Sequence, residues 1–206
     1  MLSLYLVRHG QTDCSVRDVL CGGGCDPDLT AAGRQTAEAL AAHLALRPWA
    51  GLYTSPLARA QQTLAPVAAG QAARVEAGLA EINYGDWDGK SEADLCHDDA
   101  FAKFRIADAD LRPPGGETLT EVADRAEQAI RGIAARHPQG DVLGVSHKTT
   151  IRVLLCRLLG IPLSEDRRRI ACPLGGITVL SLRAGGAQLM AHGLVEHLPV
   201  GLREGR

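Results

Sequence analysis

The chain has 206 residues, of which 46% are hydrophobic and only 3% aromatic, so alanine, leucine and valine must fill its core. A formal charge of −2 and a pI near 6.4 argue against nucleic acid and anionic membranes as partners. No apolar run reaches the roughly 18 residues of a membrane-spanning helix, and Arg8 comes too early for a signal peptide. We therefore predict one soluble, cytoplasmic domain over residues 1–206.

The first predicted element is a buried strand over residues 4–7, whose apolar run ends at Arg8 and His9. Gly10 then permits a sharp turn. In an open α/β sheet, ligands bind at the carboxyl ends of the strands, so this strand places a guanidinium and an imidazole at a binding edge. Arg8 suits phosphate or carboxylate, and His9 can act as nucleophile, base or metal ligand.

The middle of the chain alternates between loops, short strands and helices. The predicted segments, in chain order, are a glycine-rich loop over 13–28, a helix capped by Thr30 that ends by Pro48, a strand over 51–55, a helix from Pro56 to about Ala69, a short strand over 74–76, an irregular segment over 79–90 and one or two short helices over 91–112. Arg59 lies in the first turn of the helix that follows the second strand.

The last third of the chain has clearer patterns. Its predicted segments are a helix with capping-box spacing at Thr118 and Glu121, a buried strand over 141–146 that ends at His147, a helix from Thr149 to Leu159, and two closing strands over 177–182 and 188–192. The alternation predicts an α/β fold of three layers, α/β/α, with a mainly parallel central sheet and one antiparallel edge strand.

Six cysteines lie at positions 14, 21, 25, 96, 156 and 172. A chain of this length needs no disulfides, so reduced thiols are expected. No C-x-x-C pair occurs, and Cys14, Cys21 and Cys25 lack the nearby histidines of a zinc site. We therefore predict no structural metal at these cysteines. No other cofactor is predicted for the chain.

Cationic side chains follow the ends of three predicted strands. Right-handed crossovers bring these ends to one side of a sheet, so Arg8, His9, Arg59 and His147 are expected to share a crevice. Each of them alone is more often a solvated or ion-paired side chain, but their repeated placement favours a site. Such a cluster requires an anion, and two guanidinium forks favour phosphate.

Five sequence blocks connect these residues. They are LVRHGQT from Leu6, SPLARA from Ser55, LAEINYGDWDG from Leu79, GGET from Gly115 and VSH from Val145. In this order they resemble the histidine phosphatase superfamily, also called phosphoglycerate-mutase-like, and within it the small phosphatase branch. The resemblance covers residues 4 to about 160.

The resemblance implies a metal-independent phosphomonoester hydrolase that acts on a small phosphorylated metabolite. His9 would attack phosphorus and become phosphorylated, while Arg8, Arg59 and His147 would hold the phosphoryl oxygens. Glu81 would protonate the leaving oxygen and then activate water. The physical chemistry agrees, because flanking arginines favour the neutral imidazole and fixed cations match the charge of a transferring phosphoryl group.

The chain departs from the family pattern at three places. Ser15 stands where an asparagine usually helps to bind phosphate, although its hydroxyl can still donate. Cys21 and Gly22 replace glutamine and glycine, which leaves the Gly22 amide available. Lys148 follows the second histidine, where its ammonium could reach a second anionic group of the substrate or be solvated. With Thr12, these residues complete the predicted substrate-binding set.

Two alternative functions stay open. Mutases of this family usually carry extra chain after the Glu81 block, whereas only residues 88–112 separate Trp87 from Pro113 here. A non-catalytic module that binds phosphorylated ligands would need no proton donor, so Glu81 counts against it. The substrate stays open among sugar phosphates, phosphoglycerates and ribazole phosphate, and the oligomeric state stays open too.

Overall fold

The computed structural model describes residues 1–105 and 109–203, within which six strands form one sheet. The strands are β1 (Leu2–Arg8), β2 (Trp49–Thr54), β3 (Ala73–Val75), β4 (Gly140–Ser146), β5 (Ile177–Arg183) and β6 (Gly186–Leu194). The helices are α1 (Asp13–Arg17), α2 (Ala31–Leu44), α3 (Ala58–Ala68), α4 (Asp99–Arg105), α5 (Leu119–Arg136), α6 (Lys148–Leu159) and α7 (Asp166–Arg169). None of these helices is both long and apolar enough to cross a bilayer.

The sheet has the strand order β3-β2-β4-β1-β5-β6. The pairs β2–β3, β2–β4 and β1–β4 are parallel, and β5 is antiparallel to both β1 and β6. The predicted α/β fold with a mainly parallel sheet is therefore confirmed. The one reversed strand among those described, β5, lies beside the edge rather than at it, because the hairpin places β6 outside.

Helices cover both faces of the sheet, and the alternation of side chains along β1 explains why. Leu4 and Leu6 of β1 pack with α5 and α6 on one face, whereas Val7 packs with α2 and α3 on the other. Leu4, Leu6 and Val7 are fully buried. Replacing such a leucine by alanine is expected to lower the free energy of unfolding by about 2–5 kcal/mol.

Several predicted boundaries differ from the structure. The predicted loop over 13–28 contains α1, since the Thr12 hydroxyl accepts from the Ser15 amide and the Ser15 hydroxyl accepts from the Thr12 amide in a capping box. The third helix begins at Ala58 rather than Pro56, because Leu57 is the extended N-cap residue. Helix α7 was not predicted. Residues 106–108 of the predicted 91–112 segment lie outside the described residues, and the single domain stays a prediction.

The strand ends position the site. Arg8 of β1 lies opposite Ser146 of β4, and the amide of His9 donates to the Ser146 carbonyl at 3.0 Å. The amide of Ser55, just after β2, donates to the Val145 carbonyl at 3.0 Å. The residues that follow β1, β2 and β4 are therefore neighbours at the carboxyl edge of the sheet.

Candidate active site

A pocket opens at this edge, and it brings together residues that lie far apart in the chain. Arg8, His9, Arg59 and Glu81 line it. His147 lies immediately beneath, fully buried, with its ring centroid 5.0 Å from that of His9. The structure therefore brings the five predicted catalytic residues together.

His9 is held in one tautomer by the backbone. Its Nδ1 lies 2.7 Å from the carbonyl oxygen of Gly10, which can only accept, so Nδ1 carries the proton and Nε2 carries the lone pair. Burial, followed by the charges of Arg8 and Arg59, lowers the pKa of His9 well below 6.5. His9 is therefore a neutral imidazole at pH 7, with Nε2 available as a nucleophile.

The turn after His9 is fixed by close backbone packing. The Gly10 amide donates to the Thr63 hydroxyl at 3.0 Å, and that hydroxyl donates to the Arg59 carbonyl at 2.7 Å. A β-carbon on Gly10 would lie 2.6 Å from the carbonyl oxygen of Gly33. Only glycine fits at this position without a backbone shift. The close packing around Gly10 therefore fixes the carbonyl that accepts from His9 Nδ1.

The two arginines are buried, but each keeps donors for a ligand. Arg8 is 5% exposed and donates through Nη1 to the Cys172 carbonyl at 2.6 Å, while Arg59 is 1% exposed. Four acceptors at 2.7–3.3 Å hold Arg59: the carbonyl oxygens of Cys21, Gly22 and Cys25 and the carboxylate of Asp26. Within the described residues, neither Nε atom has a hydrogen-bond partner. Two buried donors therefore remain for an anion.

The Ser55 side chain orients the ring of His147. Its Nε2 lies 2.7 Å from the Ser55 hydroxyl, whereas its Nδ1 is buried with no partner in the described part of the chain. Burial, followed by the charges of His9 and Arg59, lowers the pKa of His147 well below 6.5. A second neutral imidazole therefore stands beside the first.

Glu81 is bound to the start of α6. Its carboxylate accepts from the amides of Thr149 and Thr150 at 3.1 Å, from the Thr150 hydroxyl at 3.2 Å and from the Ile82 amide at 3.0 Å. These contacts hold the carboxyl group of Glu81 against the first turn of α6. Arg125 donates to the Glu81 carbonyl at 3.1 Å and so fixes the backbone as well.

Some of the predicted substrate-binding residues line the pocket, but two of their donors are already used within the protein. Thr12, Ser15, Cys21 and Lys148 line the pocket, but the Ser15 hydroxyl already donates to the Thr12 carbonyl at 2.7 Å. The expected availability of the Gly22 amide is wrong, because this amide donates to the Asp88 carboxylate. Asp88 lies 66 residues further along the chain, so no local pattern could have indicated the contact.

The structure also clusters three cysteines beside the pocket. The sulfur atoms of Cys14, Cys21 and Cys25 lie within 4.8 Å of one another, and those of Cys14 and Cys25 are 3.6 Å apart. Burial raises the pKa of both the Cys14 and the Cys21 thiols. Protonated thiols are poor metal ligands, and the expected absence of a metal stays a prediction.

Two further cations line the pocket and were missed in the sequence. Arg152 lies four residues after Lys148 on α6, so helical spacing could have placed it on the same face. Arg167 belongs to α7, whose four residues are too few to show a periodicity. Tyr84 and Thr149 also line the pocket, and their hydroxyl oxygens are 3.1 Å apart.

Several named proteins are similar to this chain over most of its length. Phosphoserine phosphatase 1 of Hydrogenobacter thermophilus is 30% identical over 169 residues, which is 80% of each chain. The adenosylcobalamin/alpha-ribazole phosphatase of Salmonella typhimurium is 31% identical over 165 residues, which is 78% of this chain and 81% of that protein. The first curated relatives, from Mycobacterium, are 33% identical over 188 residues, and the chain spans about half of their length, 51%.

The solved structure of YhfR from Bacillus stearothermophilus superposes with a TM-score of 0.88 at 31% identity, over 96% of this chain and 99% of that one. The family model of the histidine phosphatase superfamily (branch 1) matches residues 4–194. This match runs from within β1 to the end of β6. The chain therefore belongs to branch 1 of the histidine phosphatase superfamily.

Proposed function

We propose that the protein is a metal-independent phosphomonoester hydrolase that transfers the phosphoryl group of a small metabolite to His9 and then to water. One observation carries the proposal: a neutral imidazole with Nε2 unprotonated lines a pocket together with two buried guanidinium groups and a carboxyl group. This set supplies a nucleophile, an electrostatic clamp and a proton donor without a metal.

In the first step, the lone pair on His9 Nε2 forms the bond to phosphorus while the bond from phosphorus to the ester oxygen breaks. Glu81 carries a proton at this stage and gives it to the leaving oxygen, so an alcohol departs. The proton on His9 Nδ1 stays bonded to that nitrogen, and its hydrogen bond to the Gly10 carbonyl stabilises the positive charge that develops on the ring.

In the second step, water attacks the phosphohistidine. Glu81, now a carboxylate, accepts a proton from the water as its oxygen bonds to phosphorus, and the bond from phosphorus to Nε2 breaks. Inorganic phosphate leaves and His9 is neutral again. The amides at the start of α6 stabilise the carboxylate between the two steps.

Three groups hold the phosphoryl oxygens. Arg8 and Arg59 each have an Nε hydrogen without a partner in the described part of the protein. The Ser55 hydroxyl accepts from the Leu57 amide at 3.2 Å, so its own proton can go to Nε2 of His147, which leaves Nδ1 of His147 protonated. Nδ1 of His147 is then a third donor aimed at the anion.

Relatives named phosphoserine phosphatase and alpha-ribazole phosphatase support a small phosphorylated metabolite as the substrate class. Phosphate release from a panel of such metabolites, with a chelator present, tests the proposal. We expect the wild type to turn over several of them and His9→Ala to lose activity by at least about 10³-fold. His97→Ala, which changes an exposed histidine, is the matched control.

The same panel separates the alternatives. A phosphoglycerate-type mutase would interconvert phosphoglycerates with little release of phosphate. A non-catalytic module that binds phosphorylated ligands would bind them and release none. Substantial phosphate release by His9→Ala would refute the nucleophile.

A further inference from the structure

One wall of the pocket carries three cations that the proposed mechanism does not use. Lys148 is the first residue of α6, Arg152 follows one turn later, and Arg167 projects from α7. All three side chains line the pocket that contains Arg8 and His9, and all three are partly buried. Over residues 1–105 and 109–203, none of the three side chains makes an ion pair or donates a hydrogen bond.

Partial burial makes this arrangement unfavourable in the absence of a ligand. The Nε atom of Arg152 is buried with no partner in the described chain. Burial, followed by the charges of Arg8 and Arg152, lowers the pKa of Lys148. The three cations therefore repel one another and Arg8 in a partly dehydrated space, and an anion would relieve that repulsion.

The acidic side chains nearby do not neutralise the wall, by which we mean Lys148, Arg152 and Arg167. Glu92 also lines the pocket, but it is paired with Arg105 at 2.6 Å. Glu81 is engaged by the start of α6. Asp166 is buried close to Arg152 and Arg167, and a single carboxylate can offset at most one of three positive charges. Asp18, at the end of α1, is exposed to solvent.

The wall is also preorganised. The guanidinium carbon of Arg167 lies 5.1 Å from the ring centroid of Phe104, which is buried at 1% exposure. Stacking on a fixed ring orients the guanidinium and leaves its N–H groups available at the edge. Lys148 and Arg152 lie on one face of α6, whose first turn also holds Glu81.

We propose that Lys148, Arg152 and Arg167 form a second anion-binding subsite, so that the preferred substrates are phosphomonoesters carrying another anionic group, a carboxylate or a second phosphate. This inference rests on the proposed phosphatase function. The phosphoryl group occupies Arg8 and Arg59, and the second anion lies against α6 and α7. The two guanidinium forks of the wall suit the paired oxygens of either anion.

Matched pairs of substrates test the subsite. The first pair is 3-phosphoglycerate and glycerol 3-phosphate, which differ by a carboxylate. The second is fructose 1,6-bisphosphate and fructose 6-phosphate, which differ by a phosphate. We expect the ratio of kcat/KM values within at least one pair to favour the additional anion by about 10- to 100-fold. The pair with the larger ratio identifies which anion the wall binds.

Substitutions on the wall should remove that ratio. We expect Arg152→Gln and Arg167→Gln each to lower it about 10-fold or more, because one charge-assisted contact is lost. Arg157→Gln is the control, since Arg157 lies on the same helix but pairs with Asp124 at 2.6 Å outside the pocket. Thermal unfolding shows whether each variant is folded.

Binding to the His9→Ala protein separates this inference from the proposed function. Calorimetry gives Kd values for the same four compounds without turnover. If no compound is hydrolysed by the wild type but the Kd ratio persists, the phosphatase proposal fails and the subsite stands. If the wild type hydrolyses all four with equal kcat/KM, or if Arg152→Gln and Arg167→Gln leave both ratios unchanged, the subsite is overturned.

Discussion

Two parts of the site are built differently: its floor, which consists of Arg8, His9, Arg59, Glu81 and His147, and its wall, which consists of Lys148, Arg152 and Arg167. On the floor, three functional side chains are held by backbone groups: His9 by the Gly10 carbonyl, Arg59 by carbonyls of the loop over residues 21–26, and Glu81 by two amides of α6. His147 is held by the Ser55 hydroxyl. On the wall, Lys148 and Arg152 make no such bonds within the described chain. If the proposed roles hold, the difference teaches that groups for bond making are oriented by hydrogen bonds before the ligand binds, whereas the wall cations keep all of their donors for the ligand.

This contrast has a physical basis. A transferring phosphoryl group gains most from dipoles that need not reorganise during the reaction, so the floor must be rigid. A second anion is bound equally in the ground state and the transition state, so the wall changes which substrate is held more than how fast it reacts. Damage to the floor should therefore affect substrates with and without a second anion alike when their leaving groups are similar.

Among substitutions that leave His9 in place, the largest effect is expected for Glu81→Gln. Because the amide cannot transfer a proton, we expect kcat/KM, which reports the step in which the alcohol leaves, to fall about 10²- to 10⁴-fold for the alkyl ester glycerol 3-phosphate, with a smaller loss for p-nitrophenyl phosphate. The aryl leaving group needs little protonation. Steady-state kinetics on both substrates check this, with the exposed Glu38→Gln as control. Equal losses on the two substrates would remove Glu81 from the proton-transfer step.

The floor should also give the protein a pH-dependent stability. The folded pKa of His147 is well below 6.5, so the unfolded chain binds a proton first as the pH falls. The contribution of His147 to the free energy of unfolding is therefore fully present above about pH 6.5. Below that pH, this contribution decreases by up to about 1.4 kcal/mol per pH unit. Urea unfolding between pH 5 and 8, roughly the range in which histidine titrates, should show a shallower slope for His147→Gln than for the wild type.

His97→Gln, which changes an exposed histidine, should keep the slope of the wild type. A slope that is the same in all three proteins would mean that His147 is protonated in the folded state. The buried His147 would then contribute no more than the exposed His97 to the pH dependence of the free energy of unfolding.

A smaller effect is expected for Ser55→Ala. The Ser55 hydroxyl lies 2.7 Å from Nε2 of His147, so its loss frees the ring to change tautomer. We expect kcat/KM to fall about 10-fold, the equivalent of one hydrogen bond, by the same factor for 3-phosphoglycerate and glycerol 3-phosphate. A change in the ratio between these substrates would contradict the separation of floor and wall.

Much of the floor could be predicted from the sequence because its signals are local. The apolar run before Arg8 and His9 marks a strand end, and the spacing of Thr118 and Glu121 marks the start of α5, both as observed. Glu81 lies in an irregular segment without periodicity, and only the resemblance to the family singled it out. Its role depends on amides 68 and 69 residues away.

The wall could be predicted only in part. Lys148 stood out because it follows His147, but Arg167 lies on a four-residue helix with no detectable pattern. Contacts between loops that lie far apart in the chain could not be predicted from the sequence either. The hydrogen bond from the Gly22 amide to the Asp88 carboxylate is an example. The position of Arg167 depends on the tertiary placement of α7, and a helix of four residues is too short for sequence periodicity to indicate that placement.

The most direct test of the central claim is to quench the wild-type protein during turnover and locate the phosphate by mass spectrometry. We predict an acid-labile phosphoryl group on the ring nitrogen of His9, present in the wild type and in His97→Ala and absent from His9→Ala. Turnover with no phosphorylated protein at any quench time, or with the phosphate on another residue, would contradict it.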